Sequence, residues 1–246
     1  MSHFPSSESM DSSIWVVIPA AGIGKRMQAD RPKQYLPLLN KTVIEHTLSC
    51  FSQHKAIAGI VISLHANDPY WNKLKINLPI PYFIAKGGKE RSDSVLNALQ
   101  MMQNELKVNA NSWVMVHDAA RPCLLQTDLN KLISSCLNKN IIGGILAKKA
   151  SDTIKRSNAD QSILRTERRD NLWHALTPQM FRLKQLSNAL ELAIEQNIII
   201  TDDASALEHS GESPLLIEAV GSNIKITHPD DLALAEFLLK DKRGVK

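Results

Sequence analysis

The sequence contains no apolar stretch long enough to cross a bilayer as a helix, so no membrane partner is expected. Residues 1–13 lack the basic segment followed by an apolar segment that marks a secretory signal. They are serine-rich with acidic residues among them and are expected to form a disordered leader. Cysteine is scarce. Cys50, Cys123 and Cys136 are an odd set with no CxxC pair, which suits a reduced, cytoplasmic protein better than a disulfide framework. No run of five or six like charges occurs, and the net charge of +4 suits small anionic ligands while being too mild to argue for nucleic acid. The eight histidines are scattered without metal-ligand spacing, so no protein-held metal is expected. His117 and His174 are read as structural. There is no internal repeat.

What is present is an alternation of elements. Ile14–Ile18 (IWVVI), Gly59–Leu64, Trp113–Val116 and Ile141–Ala147 are continuous apolar runs, as in strands buried on both faces of a parallel sheet. Between them, Val43–Phe51, Ser92–Met102 and Thr127–Leu137 carry helical spacing, with Ser92 the expected N-cap of the second. Leu172–Leu176, helices at Leu183–Gln196 and Ala204–His209, a strand at Leu215–Ala219, an apolar segment Ile224–Ile226 and a last helix from Pro229 through Phe237 complete the pattern. The alternation predicts an α/β fold of Rossmann-like type, a mostly parallel sheet with helices on both faces. One domain is expected over 14–240. The polar stretch 148–170 is too long for an ordinary connection and is expected as a flexible loop or a projecting β-arm.

The loop after the first strand carries the chemistry. Pro19-Ala20-Ala21-Gly22-Ile23-Gly24-Lys25-Arg26-Met27 combines small residues with cations at the carboxyl end of a strand, where open α/β sheets bind ligands. Small residues let backbone N–H groups approach phosphate. A Walker A loop would need Ser or Thr where Arg26 stands. A dinucleotide fingerprint would need a small residue where Met27 stands, and Glu45 falls inside a helical pattern, not at a strand end. A bare glycine turn would not place Arg26 and Lys33 in the same segment. Pro32 keeps Arg31 out of helical geometry, so the stretch to Lys33 wraps as a loop around a polyphosphate-sized site.

The segment VVIPAAGIGKRMQADRPKQYLPL (16–38) resembles the N-terminal signature of the 2-C-methyl-D-erythritol 4-phosphate cytidylyltransferases of the non-mevalonate isoprenoid pathway. The resemblance continues in order through GGKERSDSV (87–95), VHDAARP (116–122), GGILA (143–147), SDTIKR (151–156), NLWHALTPQ (171–179), TDDASALE (201–208) and SNIKITHPDDLALAE (222–236). It covers nearly the whole chain after Ser13. The resemblance implies a nucleotidyltransferase that joins CMP from CTP to a polyol phosphate. It implies Arg26 and Lys33 as stabilisers of the transition state, and Arg169 and Lys225 as residues positioning the attacking phosphate. Ala20, Ala21, Gly22 and Gly24, with Gly88 and Ser94, would contact the nucleotide. Asp118, Arg121, Thr153 and Thr177 would serve the acceptor. It further implies Mg²⁺ held mainly by the CTP phosphates and water, and a homodimer in which Thr153 and Arg169 complete the partner's site.

Read without the resemblance, Asp118 is a turn residue at a strand end, Arg121 and Arg169 are surface cations, and Lys225 blunts a sheet edge. Thr201-Asp202-Asp203 reads as a helix cap and not as a metal site. Two other functions remain open at this point. A cytidylyltransferase for another polyol phosphate, such as ribitol 5-phosphate, would share the fold and loop. A non-catalytic nucleotide-binding scaffold would have lost the loop cations, which are present here. A fusion with a later pathway cyclase is not expected.

Overall fold

The computed structural model describes residues 13–22, 24, 27, 29–137 and 141–244, the side chains of 242–244 aside. Residues 1–12 of the expected leader, with Lys25 and Arg26, lie outside the described residues.

Eleven strands and six α-helices follow one another along the described chain. They are β1 (Ile14–Pro19), β2 (Pro37–Leu38), β3 (Lys41–Thr42), α1 (Val43–Ser49), β4 (Ile57–Leu64), β5 (Tyr82–Lys86), α2 (Arg91–Asn104), β6 (Trp113–Val116), α3 (Gln126–Leu137), β7 (Gly143–Lys149), β8 (Ile154–Ser157), β9 (Ile163–Glu167), β10 (Trp173–Arg182), α4 (Leu183–Glu195), α5 (Asp203–His209), β11 (Leu215–Glu218) and α6 (Asp230–Gly244). The central sheet has seven strands in the order β11-β7-β10-β6-β1-β4-β5. Within this sheet β10 alone runs against its neighbours β6 and β7, and the remaining pairings are parallel.

β1 explains why its sequence is apolar at every position. Ile14, Val16 and Ile18 enter one core with Leu48 of α1 and Leu132 of α3. Val17 enters the other with Leu99 of α2, Leu190 of α4 and Leu207 of α5. A strand covered by helices on both sides has no solvent face on which alternation could appear. Burying each such Leu, Ile or Val stabilises the fold by about 1.5–3 kcal/mol before the entropy of ordering it is subtracted.

Several boundaries differ from expectation for local reasons. Glu90, not Ser92, is the N-cap of α2, with Asp93 closing a capping box back onto the Glu90 N–H at 2.9 Å. The apolar segment Ile224–Ile226 takes no regular element, and Ile226 is fully buried in a third core cluster with Met27, Leu36, Cys123 and Ala235. The polar stretch 148–170 is a β-arm: β8 and β9 pair antiparallel in a sheet of their own. Its aliphatic residues Ile163 and Leu164 are exposed. No helix among the described residues is long and apolar enough to span a membrane.

Candidate active site

The order of the strands decides where a cleft can form. The chain passes from β1 to β4 and β5 on one side, then crosses back to place β6 on the other side of β1. Loops leaving the carboxyl ends of β1 and β6 therefore diverge, and a crevice opens between them. That crevice is a cavity of about 320 Å³, lined by Ala20, Ala21, Gly22 and Gly24 after β1, by Gly88 to Arg91 and Ser94 at the start of α2, by Asp118 to Ala120 after β6, and by Lys33, Gln34 and Lys225.

The first wall is the small-residue loop. Gly24 has φ +65, a left-handed backbone that glycine adopts without strain. A Cβ there would also crowd the aliphatic stem of Lys33, whose Cγ lies 3.1 Å from that point. Gln34, missed by the sequence reading, is 3% exposed and donates from Nε2 to the Ala20 carbonyl at 2.7 Å and the Gly22 carbonyl at 3.1 Å. Loop carbonyls would repel a phosphate, and here two of them are engaged by an amide donor. Lys33 reaches across the cleft mouth, its Nζ donating to the Ile226 carbonyl at 2.8 Å.

The second wall is the turn into α2. Ser94 is buried, and its hydroxyl accepts from the Gly88 N–H at 3.0 Å while donating to the Glu90 carbonyl at 3.1 Å. A Cβ on Gly88 would stand 2.1 Å from the Asp93 Cβ, so only glycine fits the turn. The pairing of Gly88 and Ser94 expected from sequence thus has a local cause: each holds the other in place.

Asp118 is the hub of the third wall. Its Oδ1 accepts from Arg91 Nε at 3.1 Å, and its Oδ2 meets Lys225 Nζ at 2.9 Å and Arg121 Nε at 3.2 Å. Burial alone would raise the Asp118 pKa, but the charges of Arg91, Lys225 and Arg121 outweigh it and hold the carboxyl well below the usual range. Arg91 turns its other two nitrogens on Asp203, at 3.1 and 2.8 Å. Neither Arg91 nor Asp203 was read from sequence as part of the site. Asp202 is the N-cap of α5 as expected, accepting from the Ser205 N–H at 3.0 Å. Three cations face two carboxylates in this cluster, and along the cavity wall Lys33, Lys89, Arg91 and Lys225 outnumber Glu90 and Asp118. An anion is the natural guest.

Behind Asp118 the polar groups form an ordered chain. The Asp118 N–H donates to Thr177 Oγ1 at 3.1 Å. Thr177 Oγ1 lies 3.1 Å from His117 Nδ1, and His117 Nε2 lies 3.0 Å from the Arg121 carbonyl. A carbonyl can only accept, so Nε2 carries the proton and Nδ1 accepts from the Thr177 hydroxyl. Burial pushes the His117 pKa down to about 4, in keeping with a neutral ring. His117 is structural, as expected from sequence, whereas His174 is exposed on β10. Thr177 and Arg121 are buried behind the carboxylate and neither lines the cavity. Asn223 binds this layer to the Lys225 loop: its Nδ2 donates to the Thr177 carbonyl at 2.7 Å, and its own carbonyl accepts from Arg121 Nη1 at 2.7 Å.

Thr153 and Arg169 are exposed residues of the arm region and do not line their own chain's cavity. Arg169 donates to the Ser151 carbonyl. Among the described residues no group of three or more His, Cys, Asp or Glu gathers to hold a metal.

A mostly parallel sheet with a cationic cleft of about 320 Å³ at its switch point defines an α/β nucleotidyltransferase-like protein. The chain belongs to the 2-C-methyl-D-erythritol 4-phosphate cytidylyltransferase family (IspD), whose model matches residues 14–241. It is 49% identical over 238 residues to the enzyme of that name from Vibrio parahaemolyticus, covering 97% of this chain and 100% of the relative. It is 48% identical over 220 residues to that from Pseudomonas entomophila, covering 89% and 93%. The Francisella tularensis crystal structure of the same name superposes with a TM-score of 0.79 at 37% identity, covering 92% of this chain and 100% of the other. A crystal structure described as 4-diphosphocytidyl-2C-methyl-D-erythritol synthase gives a TM-score of 0.80 at 34% identity, covering 93% and 99%.

Proposed function

We propose that the chain transfers CMP from CTP to 2-C-methyl-D-erythritol 4-phosphate, giving 4-diphosphocytidyl-2-C-methyl-D-erythritol and pyrophosphate for isoprenoid precursor synthesis. The observation that carries this reading, beside family membership, is the cleft that joins the β1 loop to the cationic cluster around Asp118. An oxygen of the acceptor's phosphate attacks the α-phosphorus. The bond from that phosphorus to the bridging oxygen breaks, and pyrophosphate leaves with the electron pair. The attacking phosphate is already ionised at neutral pH, so no general base is required, and catalysis rests on placing the reactants and meeting their charge.

In this reading the backbone at Ala20, Ala21, Gly22 and Gly24 receives the triphosphate, and the Gly88–Ser94 turn receives the cytosine and ribose. Lys33 and Arg26 stabilise the charge that builds on the α-phosphate. Lys225 positions the attacking phosphate, while Asp118 meets the polyol with Arg121 and Thr177 supporting it. Glu90 and Asp118 are the acidic side chains on the cavity wall, and both Asp118 oxygens are engaged by cations. That donor set fits Mg²⁺ carried mainly by the nucleotide's phosphates and water. Bound there, the metal would neutralise phosphate charge.

Arg169 and Thr153 do not line their own cavity, which supports a homodimer in which each arm completes the partner's acceptor site. The three cysteines are buried free thiols, in keeping with a reduced cytoplasmic setting. The test is a pyrophosphate-release assay with CTP against a panel of polyol phosphates. Turnover with 2-C-methyl-D-erythritol 4-phosphate far above that with ribitol 5-phosphate is expected. The reverse preference would reassign the acceptor, and no turnover with any acceptor would leave a binding protein.

A further inference from the structure

Arg91 is the first residue of α2, on the same turn as Gly88 and Ser94, yet its side chain leaves that wall. Its Nη1 and Nη2 grip both oxygens of Asp203, which is completely buried at the start of α5. Its Nε then points to Asp118 Oδ1. A guanidinium is planar, so a fork fixed on a buried carboxylate leaves Nε little freedom in direction. With Oδ1 held from that side, Oδ2 is the oxygen that meets Lys225 and Arg121. The nucleotide wall and the acceptor wall are thus joined through one side chain, across 27 residues of sequence to Asp118 and 112 to Asp203.

We propose that Arg91 is a positioning residue for the acceptor: anchored on Asp203, it fixes the orientation of Asp118 and through it the place of the Lys225 ammonium in the cleft. The proposal rests on the cytidylyltransferase reading above. It separates from a purely structural role because the two make different demands on kinetics. A structural brace, once loosened, lowers the melting temperature and weakens both substrates or neither. A positioning residue for Asp118 and Lys225 affects the acceptor and leaves CTP alone.

Two single variants probe it. Arg91→Lys keeps the charge but cannot hold Asp203 by a fork and reach Asp118 together. Asp203→Asn keeps the anchor's size and removes its charge. Because one-sided changes can strand a buried charge, the pair Arg91→Met with Asp203→Leu removes both charges and keeps the volume apolar. The full-length dimer or monomer is used as it purifies. CTP affinity is measured by equilibrium dialysis without acceptor, and KM for 2-C-methyl-D-erythritol 4-phosphate at saturating CTP. Displacing a positioned group by about 1 Å can cost up to a hundredfold, so the acceptor KM is expected to rise roughly ten- to a hundredfold in every variant that folds, with CTP affinity within about twofold of wild type. Folded variants with a wild-type acceptor KM would overturn the proposal, as would equal weakening of CTP and acceptor. Failure of all three variants to fold would equally overturn it, by making the cluster a requirement of the fold. A wild-type protein silent towards the acceptor would instead refute the assigned reaction.

Discussion

The Lys225 ammonium lies 2.9 Å from Asp118 Oδ2, so the cation assigned to the attacking phosphate is held by the carboxylate assigned to the polyol. The two roles are therefore not independent: whatever reorients Asp118 also relocates Lys225. Lys225→Ala is expected to lower turnover by about a hundredfold, the usual scale for removing one preorganised charge contact, with CTP affinity little changed. Steady-state rates alongside CTP dialysis check this. Turnover within a few-fold of wild type would remove Lys225 from the reaction.

Lys33→Ala and Arg26→Ala are expected to reduce CMP transfer much more than they weaken CTP binding. Lys33 lines the cleft with its Nζ on the Ile226 carbonyl, and in the proposed reaction it meets the charge that forms on the α-phosphate. Loss of such a contact is worth roughly 3 kcal/mol, or about a hundredfold in rate. Single-turnover measurements separate the chemical step from binding. Parallel losses in both would place these cations in ground-state binding only.

Selectivity for CTP over ATP and GTP is expected. The turn from Gly88 to Ser94 is closed by its own hydrogen bonds and admits no Cβ at Gly88, so it has little room to widen for a purine. Comparable turnover with either purine triphosphate would show that the base is not read there.

The buried His117 sets a pH dependence of stability. Its folded pKa of about 4 lies below the unfolded value of 6.5, so the unfolded chain takes up a proton first as pH falls. The stability it contributes is whole above pH 6.5 and is lost between 6.5 and about 4, worth about 3 kcal/mol in all. Burial raises the pKa of Asp203, which works in the opposite sense, so the comparison that matters is with His117→Gln. Denaturant unfolding at several pH values should show wild type losing stability towards pH 4 relative to that variant. Parallel pH profiles would mean the ring is not held neutral.

Mixing inactive Arg169→Ala protein with inactive Lys33→Ala protein should restore activity. In a twofold dimer with sites completed in trans, one site of each mixed dimer carries neither change. Failure to complement after verified subunit exchange, or full activity in a monomer, would show that the arm does not reach the partner's site.

How much of this was legible beforehand follows from where the information lies. β1, β4 and β6 announce themselves because both faces are covered and nearly every position is apolar, Ser63 of β4 excepted. β5 escaped notice because it is a sheet edge whose Tyr82 and Ile84 are partly exposed, leaving no run to detect. β10 was read as only Leu172–Leu176, since its first half is half-exposed beside the arm and its reversed direction leaves no mark in composition. In the site, residues carried by contiguous motifs were readable: the β1 loop, Gly88, Asp118 and Lys225 all meet at one cavity. Arg91, Asp203, Gln34 and Asn223 were not, because their meaning is in partners distant along the chain. A buried arginine fork looks like any surface arginine until its carboxylate is known.

Past a break in register between Ala175 and Gln179, β7 and β10 pair again out to Lys149 and Trp173, and only then does the chain depart into the β8–β9 arm. The arm's two ends thus leave the sheet one strand spacing apart, about 4.8 Å, whatever happens beyond them. An appendage mounted that way is modular. Its length, tip and surface can be altered or exchanged with those of a relative while the seven-stranded frame keeps its register, so one constant frame can carry many different arms.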